Sequence, residues 1–235
     1  MSGSFEIEIE ALERSPDRPE RYCEAFVTLF PVSGASVSTV GQLLGSETLA
    51  ASDALSARID ELQFDLGEGP CWDAVRSARP VLAPALHVSG PKKWPAFTQS
   101  AVQDGIGSVF AFPLIVGPLR FGAVDMYSAA PVRLSRTQTR QAGAMADVIS
   151  RHVLRRALSA IGEDPDEGIS AFSRRLIHQA TGVVLASIDI SAEDARLVIQ
   201  GHAFAAGKPM MTVAQDILDG RLRFVRDGDR IEVAE

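Results

Sequence analysis

The stretch GSVFAFPLIV-GP-LRFGAVDMY, residues 107–127, gives the strongest indication of the fold. Two runs rich in β-branched and aromatic residues flank the pair Gly117-Pro118, a combination typical of two antiparallel strands joined by a turn. Pro113 lies inside the first run. Because proline has no backbone N–H, it predicts either a bulge or a position at the edge of the sheet. A β-hairpin is therefore expected near the middle of the chain.

Shorter patterns on the N-terminal side of this hairpin predict further elements of an α+β domain. Additional strands are expected at 35–40, 47–52 and 81–83. Helices are expected at 19–30, from Asp53 onward, after the glycine-bracketed turn at 67–71, and at 92–104. Residues 1–18 are acidic and proline-terminated, and we expect them to form a mobile leader. Six aromatic side chains are divided between core and a ligand pocket in this prediction: Phe64, Trp72, Trp94, Phe97, Phe110 and Phe112.

A long helix is predicted after the hairpin, from about residue 135 to 160. Ser135 and Gln138 have the spacing of a capping box, in which each side chain bonds the other residue's backbone N–H. Ala142, Met145 and Ile149 begin an apolar stripe that continues to Val153, while the other faces are rich in arginine. We expect this stripe to pair with its copy in a homodimer.

The helical pattern breaks near residues 162–165, and three further helices are predicted in the next 55 residues or so. Asp164 as N-cap and Pro165 at the first helical position would open the first of them. Ser191, with Asp194 three residues later, would cap the second, and the third is expected at 209–218. The tail at 222–235 is either a small hairpin or disordered.

Composition limits the possible functions. The chain has 235 residues, 46% hydrophobic and 23% charged, with a net charge of −7. A negative net charge disfavours broad binding to nucleic acid or to anionic membranes, but it leaves room for a local basic patch. No signal-peptide pattern or apolar stretch of about 18 residues occurs, so we expect a soluble cytoplasmic protein. Two cysteines and four scattered histidines predict neither a disulfide framework, nor a metal site, nor a cofactor.

Two groups of motifs resemble known families. LQFDLGEGPCWDA (62–74), WPAF (94–97) and VFAFPL (109–114) are similar to GAF domains of actinobacterial regulators. RRLIHQATGVV (174–184), EDA (193–195), HA (202–203) and GKPMMTVA (207–214) resemble the ANTAR family of three-helix RNA binders that act in transcription antitermination. The resemblance implies a GAF-like sensory domain at 19–160, an antiparallel sheet with flanking helices, and an ANTAR-like domain at 165–220.

The ANTAR resemblance implies a set of residues that contact a hairpin in a nascent transcript. They are Arg174, Arg175, His178, Gln179, Thr181, Gly182, Gln200, His202 and Lys208. Arg174, His178 and Thr181 follow at i, i+4 and i+7, so we expect them to share one exposed side of a helix. The sequence departs from the family at Thr181, where a lysine is usual, and at Gln200, where an arginine is usual.

The residues leave three other interpretations open. The candidate RNA residues also fit an ordinary solvated helix face. The C-terminal domain could serve protein interaction after loss of RNA binding, because residues 166–235 hold 8 Arg and Lys against 11 Asp and Glu, a net of −3. Cys71, near a helix N-terminus, would be the nucleophile if the chain were a GAF-type thiol enzyme such as a methionine sulfoxide reductase. We predict a non-enzymatic regulator; the sensed signal, small molecule or protein, is not readable from the sequence.

Overall fold

The computed structural model describes residues 2–41, 44–159, 174–228 and 230–234. The chain divides into two compact units, Met1–Phe172 and Ser173–Glu235. The predicted helix start at Asp164 and Pro165 lies outside the described residues. The proposed domain limits, 19–160 and 165–220, therefore stay a prediction.

The N-terminal unit is an α+β fold, as the sequence predicts. Its helices are α1 (Ser2–Glu13), α2 (Glu20–Leu29), α3 (Ala54–Leu66), α4 (Pro70–Ser77), α5 (Leu86–Ser89), α6 (Pro95–Gln103) and α7 (Arg136–Ser159). Its strands are β1 (Gly34–Thr39), β2 (Glu47–Ala51), β3 (Val81–Ala83), β4 (Ser108–Val116) and β5 (Leu119–Ser128). The strands form one antiparallel sheet in the order β2-β1-β5-β4-β3.

The predicted hairpin is confirmed as β4 and β5. Pro113 pairs with Ala123 of β5 on one side, whereas the ladder between β3 and β4 ends at the pair Val81 and Ala111. Pro113 therefore lies beyond the short strand β3, at a local edge where its missing N–H leaves no ladder bond unmade. The register shifts between Leu114 and Ile115, so an irregularity of the ladder begins one residue after the proline.

The two faces of the sheet differ in chemistry. One face carries large apolar side chains, among them Val37, Phe110, Phe112, Val124 and Met126, all at most 1% exposed. They pack with buried residues of α2 and α7 into the main core. The opposite face is covered by α3 and α4. Around Asp125 it carries small and polar side chains, and beyond them Val109 and Tyr127 pack in a second apolar cluster. This second face positions the candidate site.

Helix α1 corrects the expectation of a mobile leader. Leu12 is 2% exposed and joins the main core, and Phe5 and Ile9 pack against it partly buried. The connection to α2 is held by the Tyr22 hydroxyl, which donates to the Pro16 carbonyl oxygen at 2.6 Å. The acidic composition hid this helix, because its few apolar residues are spaced along only one face.

Helix α7 confirms the capping box but corrects the dimer argument. Ser135 N donates to Gln138 Oε1 at 2.9 Å, and Gln138 N donates to Ser135 Oγ at 3.2 Å. The apolar stripe at Ala142, Met145 and Ile149, however, is fully buried against the chain's own sheet, and Val153 is 6% exposed. The stripe is regular because it packs on a flat sheet face, so it gives no support to a homodimer.

The C-terminal unit contains α8 (Arg175–Ile188), α9 (Ala192–Ala206) and α10 (Met210–Leu218), then the hairpin β6 (Arg223–Asp227) and β7 (Arg230–Ala234). The predicted cap of the middle helix is confirmed, since Asp194 N donates to Ser191 Oγ at 3.1 Å. Of the two alternatives for the tail, the hairpin is observed. The three helices share a small apolar core that includes Ile177, Ile199 and Val213, each at most 1% exposed.

None of the helices in the described ranges combines the length and apolar character that a membrane crossing needs.

Candidate functional site

A cluster of buried polar side chains lies on the sheet face under α3 and α4. Ser36 pairs with Asp125, and Ser38 pairs with Ala123 on one side and Thr48 on the other. Paired residues of antiparallel strands project to the same face, so these five residues share one surface, here called the polar face. Its four polar members are between 1% and 4% exposed. A buried sheet face this rich in hydroxyl and carboxyl groups is unusual, because each such group needs a partner.

Helix α3 contributes two buried polar residues one turn apart, Asp60 and Gln63, which are 2% and 1% exposed. The Thr48 hydroxyl donates to the Asp60 carboxylate. The Gln63 amide donates from Nε2 to Asp125 Oδ2 at 3.0 Å. Helix α3 thereby closes the polar face from above and fixes one oxygen of Asp125.

Gln63 also holds the start of α4. Its Oε1 accepts from the Cys71 backbone N–H at 2.7 Å, and its carbonyl oxygen accepts from Trp72 Nε1 at 2.6 Å. The glycine turn that the sequence singles out makes this approach possible. Gly69 has φ 137°, and a Cβ atom there would lie 2.6 Å from the Gln63 side chain. One glutamine therefore ties together α3, α4 and β5.

The electrostatics of the polar face are dominated by Asp125. Burial raises its pKa to about 8, and the nearby negative charge of Asp60 acts in the same direction. Hydrogen bonds to Gln63 and Cys71 oppose these effects without cancelling them. Within the described residues, Asp125 Oδ1 and Ser38 Oγ have no hydrogen-bond partner, although both atoms are buried. The polar face therefore presents hydrogen-bonding capacity that the described residues do not use.

The edge of the polar face is ordered by a second network around Asp53. Asp53 caps α3 by accepting from Ser56 N at 2.9 Å, and the Tyr127 hydroxyl donates to it at 3.0 Å. Burial alone would raise the pKa of Asp53, but hydrogen bonds from Ser52, Ser56 and Tyr127 outweigh it, so the pKa lies below its ordinary value. This carboxylate is thus fully paired, unlike Asp125.

In the described parts of the chain, neither a metal-ligand cluster nor a second thiol lies at this face. Across the described ranges, His, Cys, Asp and Glu residues do not gather in groups of three or more that could hold one metal ion. Cys71 is 1% exposed and packs with Ala123 and Val40. Cys23 is fully buried in the main core, on the other face of the sheet, where burial raises the pKa of its thiol to about 12. The sheet thus lies between the two thiols.

In the C-terminal unit, part of the predicted RNA set does share a surface. Arg175, His178, Gln179 and Gly182 are all exposed and fall within about 100° of one another around α8. Arg174 and Thr181 do not join them, because they are only 3% and 9% exposed. The expectation that Arg174, His178 and Thr181 share one exposed side is therefore wrong.

The burial of Thr181 has a local cause. Its hydroxyl donates to the Ile177 carbonyl oxygen one turn back, at 2.7 Å, and its side chain faces the helix core beside Val184. Val183, the residue before Val184, is 44% exposed. The buried stripe of α8 therefore runs through Ile177, Thr181 and Val184, and Val183 lies about 100° around the helix from Val184.

The remaining predicted residues are dispersed. Gln200 is half-buried and accepts from Arg196 Nη1 at 3.4 Å, whereas His202, on another side of α9, packs edge-on against Phe224 with ring centroids 5.6 Å apart. Lys208 is exposed, and its Nζ lies 3.4 Å from Asp216 Oδ2. Sequence reasoning also missed two exposed apolar residues of α9, Leu197 and Phe204, at 49% and 66% exposed.

Sequence reasoning missed the polar face as well. A signal was present in the alternation Ser36-Val37-Ser38 and in the single acid, Asp125, inside the apolar run 121–127. Alternation places residues on opposite faces of a strand, but only the register between strands shows that Ser38, Thr48 and Asp125 meet.

Comparison with known proteins identifies the N-terminal unit. The family model described as "GAF domain" matches residues 20–154. The chromophore-binding domain of an unusual bacteriophytochrome from R. palustris is similar in fold, with TM-score 0.51 and 10% identity over 66% of this chain and 60% of that one. A domain of a two-component sensor histidine kinase protein from Sinorhizobium meliloti 1021 gives TM-score 0.49 and 20% identity, over 62% of this chain and 94% of that one. A free methionine-R-sulfoxide reductase from Thermoplasma acidophilum gives TM-score 0.45 and 16% identity, over 61% of this chain and 96% of that one. No curated protein sequence matches the chain.

Proposed function

This chain belongs to the GAF domain family, and from that premise we propose that it is a signal-responsive regulator whose N-terminal unit senses a small molecule or a protein and whose C-terminal unit binds RNA. The C-terminal unit is ANTAR-like in this proposal, and its target is a hairpin in a nascent transcript. Binding stabilises an antiterminator, so that transcription continues. The chain acts as a non-enzymatic homodimer in the cytoplasm.

The polar face is the observation that carries the sensing half of the proposal. Asp125 Oδ1 and Ser38 Oγ are buried polar atoms without a partner among the described residues. An unpaired buried polar group typically costs about 1–3 kcal/mol, which a bound molecule can recover by supplying the missing hydrogen bond. The ligand site in this proposal therefore lies between the sheet and α3.

The RNA half rests on the exposed side of α8. Arg175 supplies a cation, while His178 and Gln179 offer hydrogen-bond donors and acceptors to unstacked loop bases. Gly182 lies on the same side with no atom within 4 Å of the place its Cβ would occupy, so a nucleotide backbone can approach closely there. Lys208 is a further cation for a phosphate, although it must compete with Asp216. Arg174 and Thr181 are left out because they are buried.

Sequencing of RNA that co-purifies with the full chain tests this half. Enriched transcripts should contain a hairpin that the purified protein binds in a gel shift. His178→Ala and Lys208→Ala should each weaken binding, whereas the matched controls His87→Ala and Lys92→Ala change exposed residues of the N-terminal unit and should not. No enriched hairpin, or equal losses in test and control variants, would refute RNA binding.

A specific observation favours one alternative, a protein-docking output. Leu197 and Phe204 stand seven residues apart on α9, on one side of the helix, and both are largely exposed. Exposed apolar side chains at this spacing are typical of helix faces that bind another protein. If Phe204→Ser leaves RNA binding intact but abolishes regulation in cells, the docking output is favoured. Loss of hairpin binding in the same variant would favour RNA.

A further inference from the structure

We infer that the polar face binds its signal through a primary ammonium group, held by Asp125 with Ser38 and Asp60 around it. The inference rests on the proposed sensing function and names the chemical class of the ligand. It concerns the N-terminal unit alone, so it can fail while RNA binding stands.

Two unpartnered oxygen atoms of the polar face can bind hydrogen-bond donors of a ligand. Asp125 is 3% exposed, and its Oδ2 is already bonded by Gln63 at 3.0 Å, so only Oδ1 is available. Ser38 is 1% exposed, and its unpartnered Oγ lies on the same sheet face, one strand away. Once Asp125 is ionised its Oδ1 can only accept, and a hydroxyl can accept while it donates elsewhere. A ligand with several N–H donors on one atom matches this arrangement.

The acidic side chains of the polar face favour a positively charged ligand. Two carboxyl groups, Asp60 and Asp125, lie on this face at 2% and 3% exposure. Asp125 forms no ion pair with a lysine, arginine or histidine in the described parts of the chain. An anionic ligand would bring a second negative charge next to that of Asp60 in a buried site, and the electrostatic cost of that is large. A positive ligand instead gives Asp125 the partner it lacks.

The donor set separates an organic ammonium from a metal ion. Within the described residues no group of three or more His, Cys, Asp and Glu is placed to hold one ion. Hard divalent cations take six or more oxygen ligands, most of them from carboxylates, carbonyls and waters. A primary ammonium needs only three acceptors, which Asp125 Oδ1, Ser38 Oγ and the Asp60 carboxylate can supply.

The site is held in place before a ligand arrives. The Oε1 atom of Gln63 accepts from the Cys71 N–H, so the side-chain amide presents Nε2 to Asp125 in one orientation. The Trp72 indole holds the backbone carbonyl of the same residue. Gly122, next to Ala123 on β5, packs so closely on β1 that a Cβ atom there would lie 2.1 Å from the Ser38 carbonyl oxygen. This contact fixes the spacing between the strands that carry Ser38 and Asp125.

Binding should be coupled to proton release. Burial and the neighbouring Asp60 raise the pKa of Asp125 to about 8, so the free protein holds this carboxyl protonated at neutral pH. The other ionisable groups around it are Cys71 from α4 and, on the same strand, Tyr127, which bonds Asp53. An ammonium ion stabilises the carboxylate, so the Asp125 proton leaves to solvent as the ion pair forms. Affinity should then rise about tenfold per pH unit between pH 6 and 7.

Titration of the full chain with small amines tests the inference. Methylammonium, ethylammonium and 1,4-butanediammonium chlorides are the probes, and tetramethylammonium chloride, which has no N–H, is the control at equal ionic strength. We expect at least one primary ammonium to raise the melting temperature of the N-terminal unit saturably, by several degrees. Calorimetry in two buffers of different protonation enthalpy should show release of about one proton per bound amine at pH 7.

Variants decide whether Asp125 is the anchor. Asp125→Asn keeps the size of the side chain but removes the charge, so it should abolish the melting shift, and Ser38→Ala should weaken binding. Asp147→Asn, an exposed aspartate on α7, should bind as the wild type does. Failure of every primary amine, an equal response to tetramethylammonium, or unchanged binding by Asp125→Asn would overturn the inference. None of these outcomes bears on hairpin binding by the C-terminal unit.

Discussion

Replacing Asp125 by asparagine should stabilise the N-terminal unit at neutral and alkaline pH. The folded protein raises the pKa of this carboxyl from 3.8 to about 8, mainly through burial. Between those two values the folded state keeps a proton that the unfolded state has released. The contribution to stability is therefore fully present below about pH 4 and is lost as the pH rises through about 8. Asparagine is neutral at every pH and avoids this loss.

The size of the effect follows from the pKa difference. Each pH unit inside the window lowers the unfolding free energy by about 1.4 kcal/mol. From pH 5 to pH 7 the wild type should thus lose about 3 kcal/mol relative to Asp125→Asn. Two other groups also titrate. Hydrogen bonds lower the pKa of Asp53, so its contribution to stability changes only below its ordinary pKa of 3.8, outside this pH range. Burial and nearby arginines lower the pKa of His152, so its titration makes stability rise with pH below about pH 6.5. His152 is present in both proteins, so its contribution cancels in the difference between them.

Urea denaturation at pH 5, 6, 7 and 8 measures this difference. Both tryptophans of the chain, Trp72 and Trp94, lie in the N-terminal unit, so fluorescence reports on that unit alone. Asp147→Asn provides the control of an exposed aspartate and should follow the wild type. Parallel pH profiles for wild type and Asp125→Asn would show that the carboxyl is ionised at neutral pH or solvated, and the electrostatic account of the polar face would fail.

Three further substitutions test individual packing contacts. Thr181→Lys should lower the unfolding free energy of the C-terminal unit, measured by circular dichroism, by about 2–4 kcal/mol, because it buries a charge and removes the bond to Ile177. Unchanged stability with tighter RNA binding would show that residue 181 is exposed. Ile149→Ala should cost about 2–5 kcal/mol by fluorescence without changing the mass in light scattering, and dissociation of a dimer would contradict its place in the core. Gly122→Ala should cost more than about 3 kcal/mol in the same assay, because its Cβ would overlap Ser38 O; native-like stability would refute that contact.

Features that depend on neighbouring residues were predictable from the sequence. The hairpin of β4 and β5 follows from two apolar runs around a Gly-Pro pair, and the caps at Ser135 and Ser191 follow from a spacing of three residues. Hydrogen bonds inside one turn or one cap are decided locally, so composition and spacing are enough to predict them.

Features that depend on the identity of a distant partner were not predictable. The stripe of α7 shows that one side of the helix is buried, but a sheet and a second copy of the helix are both apolar partners. The same limit applies to α8, where Ile177, Val183 and Val184 allow two overlapping stripes. Only packing against α10 and α9 decides that Val184 is buried and Val183 exposed, and that choice also removes Thr181 from the surface.

The polar face shows why a buried polar cluster is hard to predict from the sequence. Gln63 and Asp125, which are hydrogen-bonded, lie 62 positions apart in the sequence. Each of them, like Asp60, looks like an ordinary polar residue in its own segment. Their arrangement also suggests how occupancy would be transmitted. A ligand that ionises Asp125 strengthens the bond from Gln63 Nε2, because a charged acceptor binds a donor more tightly than a neutral one. The same side chain accepts from the Cys71 N–H through Oε1, so a change at Asp125 reaches the first turn of α4 through a single side chain.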